Sequence, residues 1–173
     1  ENYIDFGKPR LCDPLVINLN GNVADVSDQK FMFDLDADGN EEEISMLESG
    51  SGYLALDKNG DGIINDGSEL FGTSNGNGFA DLAQYDKDGN DWIDEADEIF
   101  DKLRIWVKDA DGNDNLMSLS EAGVGAIYLG SRDTDFSLNN LSDNHTNGVI
   151  RKTGMFLYEN GQTGTMQQLD LAT

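Results

Sequence analysis

The sequence predicts an α+β fold that combines an EF-hand-like helix–loop–helix with further calcium turns, short strands and a C-terminal β-hairpin. Two observations lead to this prediction. Carboxylate and amide side chains recur on alternate residues in several short loops, in the order typical of DxDxDG calcium turns. Between these loops lie short segments rich in β-branched and aromatic residues, which are typical of strands, and one segment with a helical apolar stripe.

Strands are predicted where such residues stand between turn signals, at 15–19, 30–34, 103–108 and 126–130, and 44–47 could be another. The segment 52–56 leads into an acidic loop. A helical turn is predicted at 67–71. The polar segment 131–148 is predicted to be a loop. Residues 149–159 and 165–171 are predicted to form the terminal hairpin, because Asn160-Gly161 and Gly164 supply turn residues between them.

The helix–loop–helix is predicted over residues 79–103. Phe79, Leu82, Ala83 and Tyr85 form the apolar stripe of the first helix, and 96–103 is the second. The loop between them has side-chain oxygens at positions 1, 3, 5, 9 and 12, as an EF-hand requires for the six to eight oxygens around Ca²⁺. Asp91 replaces the usual Gly at position 6, and the closing residue is Asp rather than Glu. The predicted ligands are Asp86, Asp88, Asn90, Trp92 through its carbonyl, Asp94 and Asp97.

A second loop begins at Asp57 and has the same opening. Asn59 and Asp61 hold positions 3 and 5, Gly62 holds position 6, and the carbonyl of Ile63 is the position 7 ligand. The closing Glu69 comes one residue later than usual, and Asp66 is a nearer alternative. As a predicted calcium site, this loop ranks equal to the loop at 86–97.

Three further segments repeat the alternation less completely. Asp34, Asp36 and Asp38 open a loop that also contains Asn40, and it could close with Glu42, with water or with a carboxylate from another segment. Asp109, Asp111 and Asn113 are equally compatible with a metal site and with a charged turn. The run from Asn18 to Asn22 has no carboxylate, so it is interpreted as a turn or a lost site.

The charge of the chain agrees with calcium as the cofactor. The chain has 34 Asp and Glu against 11 Lys and Arg, for a net charge of −23. Three or four bound Ca²⁺ ions would cancel roughly 6–8 of these charges where repulsion is strongest, so folding is expected to depend on calcium. The same charge argues against nucleic acid and anionic membranes as partners.

The composition predicts a domain from a secreted or cell-surface protein. The sequence has no apolar run long enough to span a membrane and no signal peptide, and its start at Glu1 without Met suggests a fragment. One cysteine rules out an internal disulfide framework. Export is favoured because weak calcium sites are suited to the millimolar calcium found outside cells.

Ordered motifs along the chain resemble the calcium-dependent self-processing modules of RTX (repeat-in-toxin) exported proteins. They begin at Asp13-Pro14-Leu15-Val16-Ile17-Asn18-Leu19-Asn20-Gly21 and span about residues 13–171. The others are Leu56 to Gly62, Gly67 to Gly72, Leu103 to Val107, and Ala122 to Val124. The resemblance implies that calcium triggers cleavage of the Asp13–Pro14 bond and that the new aspartyl end can join a lysine amine. Residues 1–13 would then be an upstream segment, and 14–173 the module.

The chemistry implied by the resemblance is that of a single-turnover autoproteolytic module. An Asp carboxylate can attack its own backbone carbonyl and close a five-membered anhydride, and the basic proline nitrogen is a good leaving group once protonated. Asp-Pro is also an ordinary turn opener. The alternative prediction is therefore a non-catalytic, calcium-stabilised structural or adhesion domain that has lost processing.

Overall fold

The computed structural model describes residues 14–19, 26–47, 50–73, 77–108, 113–139 and 146–171. Within them lie one α-helix, α1 (Gly78–Ala83), and two 3₁₀ turns, Gly67–Glu69 and Glu98–Asp101. The strands are β1 (Leu15–Asn18), β2 (Val26–Phe33), β3 (Glu42–Leu47), β4 (Ser51–Leu56), β5 (Trp92–Asp94), β6 (Leu103–Lys108), β7 (Asp114–Ser118), β8 (Val124–Asn139), β9 (Thr146–Tyr158) and β10 (Thr163–Leu171).

Eight strands form one sheet in the order β5-β8-β9-β10-β1-β4-β6-β7, and each neighbouring pair is antiparallel. Strands β2 and β3 form a separate antiparallel hairpin. Strand β1 lies between β10 and β4 near the middle of the sheet, and every residue of β1 and β4 is buried. The segment that begins at Pro14 is therefore built into the centre of the fold.

Alternation along the central strands divides the core between the two faces of the sheet. Leu15 and Ile17 of β1 belong to one buried cluster, together with Phe79 and Leu82 of α1. Val16 belongs to the second cluster. This continuous run of apolar residues suits a strand that is covered on both faces.

The β2–β3 hairpin covers the second face. Its Phe33 and Ile44 are buried in the same cluster as Trp106 of β6. The Trp106 ring contacts Phe33 at a centroid distance of 4.9 Å and meets Phe31 edge to face at 5.7 Å. Aromatic pairs in this range add about 0.5–1.5 kcal/mol beyond their burial, so they hold the hairpin and the loop at its tip against the sheet.

The predicted α+β class is wrong, because the described chain is mostly β and contains no EF-hand helix–loop–helix. Helix α1 has only six residues, and the predicted exit helix at 96–103 is a 3₁₀ turn followed directly by β6. Leu103 and Ile105 pair with β4 and are fully buried. Short helices are marginal without extensive packing, so this strand pairing determines the structure after the loop.

The predicted loop at 131–148 is also wrong for the residues that the structure describes there. Strand β8 continues to Asn139 and β9 begins at Thr146, and the two are paired, for example at Ser131 with Gly154. The loop was predicted because this segment is polar. Backbone hydrogen bonds can nevertheless pair two strands whose side chains are polar. The C-terminal hairpin is confirmed, with β9 and β10 joined by a turn in which Gly161 has a φ of +88°.

Candidate metal centre

Three acidic loops have the same main-chain arrangement around their first aspartate. In each, one carboxylate oxygen accepts the N–H of position 6, and the distances are 2.9 Å from Gly39 to Asp34, 2.7 Å from Gly62 to Asp57 and 2.9 Å from Asp91 to Asp86. The other carboxylate oxygen of each aspartate accepts the N–H of a residue three or four positions later in the chain. The loop is therefore wound around its first ligand, and the alternate side chains at positions 3 and 5 are brought to the same side.

This winding requires left-handed backbone at positions 4 and 6 of every loop. The φ angles are positive at 37 and 39, at 60 and 62, and at 89 and 91. Glycine holds four of these six positions, and the exceptions are Ala37 at +58° and Asp91 at +67°. Asp91 therefore takes the conformation usually given to Gly in an EF-hand loop, which Asp tolerates better than most residues do.

The closing carboxylates share one hydrogen-bond pattern despite their different spacing. Glu69 accepts the N–H of Lys58 at 2.9 Å and that of Asn65 at 2.8 Å. Asp97 accepts the equivalent N–H groups of Lys87, at 2.9 Å, and Asp94, at 3.2 Å. In both loops the closing residue thus joins position 2 to position 9, and both carboxylates are buried.

Glu42 has the same role in the loop at 34–42. Its carboxylate accepts the position 2 N–H, that of Leu35, at 3.0 Å. Glu42 is the first residue of β3, so this loop closes after only nine residues and connects the two strands of a hairpin. The sequence left this closure open, and the structure brings Glu42 back to the loop. Ser45, which holds position 12 of the loop that begins at Asp34, is fully buried in β3.

Asp66 does not fold back onto the loop at 57–69. Its side chain caps the 3₁₀ turn Gly67–Glu69, where it accepts the N–H of Ser68 at 2.9 Å. Of the two closing residues that the sequence proposes, Glu69 is the one that contacts the loop.

Two groups of described carboxylates converge to within 4.8 Å. One contains Asp34, Asp36, Asp38 and Glu42, and the other contains Asp86, Asp88 and Asp97. The loop at 57–69 is not among these groups, and it carries the amide of Asn59 where the others have a carboxylate. Such sets of oxygen donors fit a hard divalent cation such as Ca²⁺ better than a soft metal, which prefers sulfur or imidazole ligands.

The position 7 residues offer main-chain carbonyls, while their side chains lie elsewhere. The Trp92 ring packs on Tyr128 of β8 at a centroid distance of 5.0 Å. Ile63 is an exposed apolar residue, 44% accessible. Asn40 and Asn90 stay within their loops, where Asn40 contacts Asp38 and Asn90 accepts the N–H of Trp92.

Hydrogen bonds and desolvation within the loops shift the pKa values of three aspartates. The N–H of Ile63 is the main cause of the lowered pKa of Asp61. Desolvation, followed by the hydrogen bond with Asp86, raises the pKa of Asp88. Desolvation also acts on Asp86, but the N–H of Asp91, the hydrogen bond with Asp88 and the N–H groups of Asn90 and Gly89 outweigh it and lower the pKa of Asp86. Opposite shifts are expected for two neighbouring carboxylates that share a hydrogen bond, because one of them holds a proton more readily than the other.

Two further sets of predicted site residues lie wholly or partly outside the residues that the structure describes. Asp13, Asp109 and Asp111 lie outside the described residues, and Asn113 is exposed just before β7. Glu121, which comes one residue after position 12 of the segment that begins at Asp109, forms a capping box with Ser118. Its carboxylate accepts the Ser118 N–H at 3.0 Å, and its own N–H donates to the Ser118 hydroxyl at 3.1 Å.

Pro14 is buried, and the main chain around it is held on two sides. Its carbonyl accepts the N–H of Leu169 in β10 at 3.0 Å. The next N–H, that of Leu15, donates to the carbonyl of Phe71 at 3.1 Å. Phe71 follows Glu69 by two residues, so the chain after Pro14 is tied to the end of the loop at 57–69. The sequence could not reveal Phe71 or Leu169, because both act through backbone atoms.

Asn18 is a buried structural residue at the end of β1. Its Nδ2 donates to Thr165 Oγ1 at 3.0 Å and to Gln167 Oε1 at 3.1 Å, and its Oδ1 accepts the Ser51 hydroxyl at 3.0 Å. All three partners lie on strands next to β1. The carboxamide therefore links β10, β1 and β4, a role that requires both a donor and an acceptor.

Comparison with known proteins gives two results. The family model described as "SPM domain" matches residues 15–172. The iron-regulated protein FrpA of Neisseria meningitidis serogroup C is 30% identical over 182 residues, an alignment that covers 96% of this chain and 16% of that protein. The chain thus spans about a sixth of the length of this curated relative. Among the described residues, no helix is both long enough and apolar enough to cross a membrane.

Proposed function

This chain belongs to the SPM domain family, and on that premise we propose that it is a calcium-dependent self-processing module that breaks its own Asp13–Pro14 bond. The proposal draws on the resemblance of its motifs to self-processing modules of RTX-type exported proteins. It includes calcium as the cofactor, a secreted or cell-surface location, and lysine amines of another protein or chain as acceptors for the aspartyl product.

The strongest structural support is the way in which the proline side of the bond is held. The Pro14 carbonyl bonds to Leu169, and the Leu15 N–H bonds to Phe71. The leaving proline nitrogen thus lies directly before the central strand β1, on a main chain that is held by hydrogen bonds. A fixed leaving group favours intramolecular attack, for which aligned geometry can supply effective molarities of about 10⁵–10⁸ M.

The reaction needs no side chain other than that of Asp13 to form the new bond. A carboxylate oxygen of Asp13 attacks the backbone carbonyl carbon of the same residue and closes a five-membered anhydride. The C–N bond to Pro14 then breaks, and the proline nitrogen takes up a proton to become the new N-terminus. Water opens the anhydride to a C-terminal aspartate with two free carboxylates and releases two protons. A neutral lysine amine opens it to an amide and one carboxylate and releases one proton.

The acidic loops supply the dependence on calcium. A bound Ca²⁺ ion would offset the repulsion among the clustered carboxylates and complete the coordination that the loop oxygens offer. The loop at 57–69 then holds Glu69 and, two residues later, Phe71. Because the Phe71 carbonyl accepts the Leu15 N–H, an ordered loop fixes the chain beside the scissile bond.

The test is incubation of the chain, extended upstream of Glu1, with millimolar Ca²⁺ near pH 7 and with EGTA in parallel. Mass spectrometry should show a single break that leaves Pro-Leu-Val-Ile-Asn as the new N-terminus, and only with calcium. Asp13→Ala should abolish the break because the ring cannot close. Cys12→Ser, next to the bond, should leave the rate unchanged.

Persistence of the intact mass with calcium demonstrably bound would favour the second candidate, a calcium-stabilised structural or adhesion domain without processing activity. One observation supports that alternative. In the resemblance to self-processing modules, Asn18 takes the place of an Asp, and its amide is hydrogen-bonded within the core. The segment after the Asp13–Pro14 bond is therefore anchored by hydrogen bonds rather than by a metal ligand at this position.

A further inference from the structure

The loops at 34–42 and 57–69 are joined through their main chains. The N–H of Gly67 donates to the carbonyl of Asp34, the first residue of the other loop, at 2.8 Å. Gly67 also packs so closely on the Leu35 carbonyl that a methyl group at Gly67 would overlap it. We call the contact among Asp34, Leu35 and Gly67 the loop junction.

Each side of the loop junction leads directly to a closing carboxylate. The N–H of Leu35 donates to Glu42, which closes the first loop. Gly67 opens the 3₁₀ turn that ends in Glu69, which closes the second, and the Gly67 carbonyl is held by the Thr73 hydroxyl. A shift of either closing residue would therefore be transmitted to the other loop through a few bonded groups.

Buried side chains stiffen this connection. Leu35 from the first loop, Ile64 from the second, and Leu70 just beyond it all lie in one hydrophobic cluster. Close-packed interiors adjust in concert rather than one residue at a time, so the two loops cannot rearrange separately without opening this cluster.

The loop at 86–97 is attached to a different part of the fold. Its Asp91 carbonyl accepts the N–H of Leu129 at 3.0 Å, and Ile93 pairs with Ile127 of β8. Ile93 is buried in the cluster on the other face of the sheet. The Phe71 and Tyr85 rings meet edge to face at 6.3 Å, two residues after Glu69 and one residue before Asp86. This contact joins the segments that flank the two loops and not their ligand residues.

We propose that the loops at 34–42 and 57–69 bind calcium as one cooperative pair, whereas the loop at 86–97 binds independently. This inference rests on the proposed calcium dependence of the module. Calcium binding to one loop orders the loop junction, and that ordering costs free energy. Binding to the other loop then no longer includes this cost. Couplings of this kind typically change affinity about 5- to 150-fold, and they are reciprocal.

The test is a terbium titration with a reporter in one loop at a time. Ile63→Trp places an indole at position 7 of the loop at 57–69, where the native side chain is exposed. Trp92→Phe removes the indole of the loop at 86–97, and the Trp92→Phe protein alone supplies the background from Trp106. Calcium displacement of the sensitised terbium emission gives the calcium affinity of the reporter loop.

In this Trp92→Phe/Ile63→Trp protein, Asp36→Asn should weaken binding at the loop at 57–69 at least 5-fold. The matched control is Asp88→Asn, which makes the same change at position 3 of the third loop, and it should shift the midpoint less than 2-fold. Moving the reporter to Asn40→Trp and testing Asp61→Asn should give the same factor in the other direction, because coupling is reciprocal.

Equal effects of Asp36→Asn and Asp88→Asn would indicate general charge repulsion between the loops, and no effect of either would indicate no coupling at all. Both results would overturn the cooperative pair and leave the proposed function standing. Absence of terbium and calcium binding in every protein would instead remove the proposed calcium dependence, and the coupling with it. The two reporter positions use different loops, so one poorly folded variant does not decide the result.

Discussion

The side chain of Asn18 donates a hydrogen bond to Gln167 Oε1 across 3.1 Å, between two neighbouring central strands. Both residues are almost fully buried, at 1% and 4% exposure. Gln167 in turn donates to Thr153 at 3.3 Å. A buried amide network of this kind is sensitive to the loss of a single donor, because an unsatisfied group in the core has no water to replace its partner.

Asn18→Asp should therefore destabilise the protein by about 2–3 kcal/mol at neutral pH, since the carboxylate cannot donate to Thr165 or Gln167. Urea unfolding in excess calcium measures the effect. Asn115→Asp, at an exposed position in β7, is the control and should stay within about 0.5 kcal/mol. Tighter calcium binding by Asn18→Asp without loss of stability would instead show that a metal cavity survives beside β1.

Ala37→Gly should stabilise the protein, because Ala37 has a φ of +58°. The left-handed conformation costs a non-glycine residue about 1–2 kcal/mol, and the greater entropy of Gly in the unfolded chain returns about 0.5–1 kcal/mol of that. We expect a net gain of up to about 1 kcal/mol in urea unfolding. Ala80→Gly, in the exposed part of α1, should have the opposite sign and lose about 1 kcal/mol.

Gly67→Ala should destabilise the protein by about 3 kcal/mol, because the new methyl group overlaps the carbonyl of Leu35 and must push the two loops apart. The matched control is Gly125→Ala, where a methyl group would be 3.4 Å from the nearest atoms of Glu159 and the effect should be small. Similar losses from both substitutions would mean that the loop junction is not a tight contact. Thermal unfolding in calcium distinguishes these outcomes.

The Glu121 carboxylate should contribute to stability only at pH values at which it is ionised. The Ser118 N–H is the main cause of the lowered pKa of Glu121, so the folded protein binds this proton less readily than the unfolded chain does. Its contribution is therefore present above the unfolded pKa of about 4.3 and is lost as the pH falls through the lower folded value. The stability difference between the native protein and Glu121→Gln should shrink below about pH 4.3, and a difference that is constant down to pH 2 would contradict this.

Removal of calcium should lower the melting temperature and the content of ordered strand. Each site held at 100 times its dissociation constant contributes about 2.7 kcal/mol to the folded state, and the net charge of −23 opposes folding when no cation is bound. Circular dichroism in EGTA, in excess Ca²⁺ and in excess Mg²⁺ measures the dependence. Identical melting curves in EGTA and in calcium would rule out the coupling.

The loop patterns could be recognised from the sequence because their spacing is local. Asp57 and Gly62 are five residues apart, and their hydrogen bond depends only on the backbone between them. The same holds for Asp86 and Asp91. The C-terminal hairpin was predictable for the same reason, since its two strands and their turn are adjacent in the chain.

The fold class was not predictable in this way, because it depends on which segments pair. An EF-hand loop usually stands between two helices, and that association led to the predicted exit helix at 96–103. In the protein, β4 pairs with β6, so Leu103 and Ile105 are drawn into a strand directly after the loop. The polar residues of β8 and β9 were assigned to a loop because their pairing gives no apolar alternation.

The sequence by itself determined the acidic loops, the order of their side-chain oxygens and the Asp13-Pro14 dipeptide, because each is set by residues close together in the chain. Only the tertiary structure decided that Glu42 and Glu69 close their loops, that Asn18 belongs to the core, and that Pro14 is held by Leu169. These contacts form between segments that sheet pairing and burial bring together. Their geometry depends on the packed fold, which local spacing does not encode.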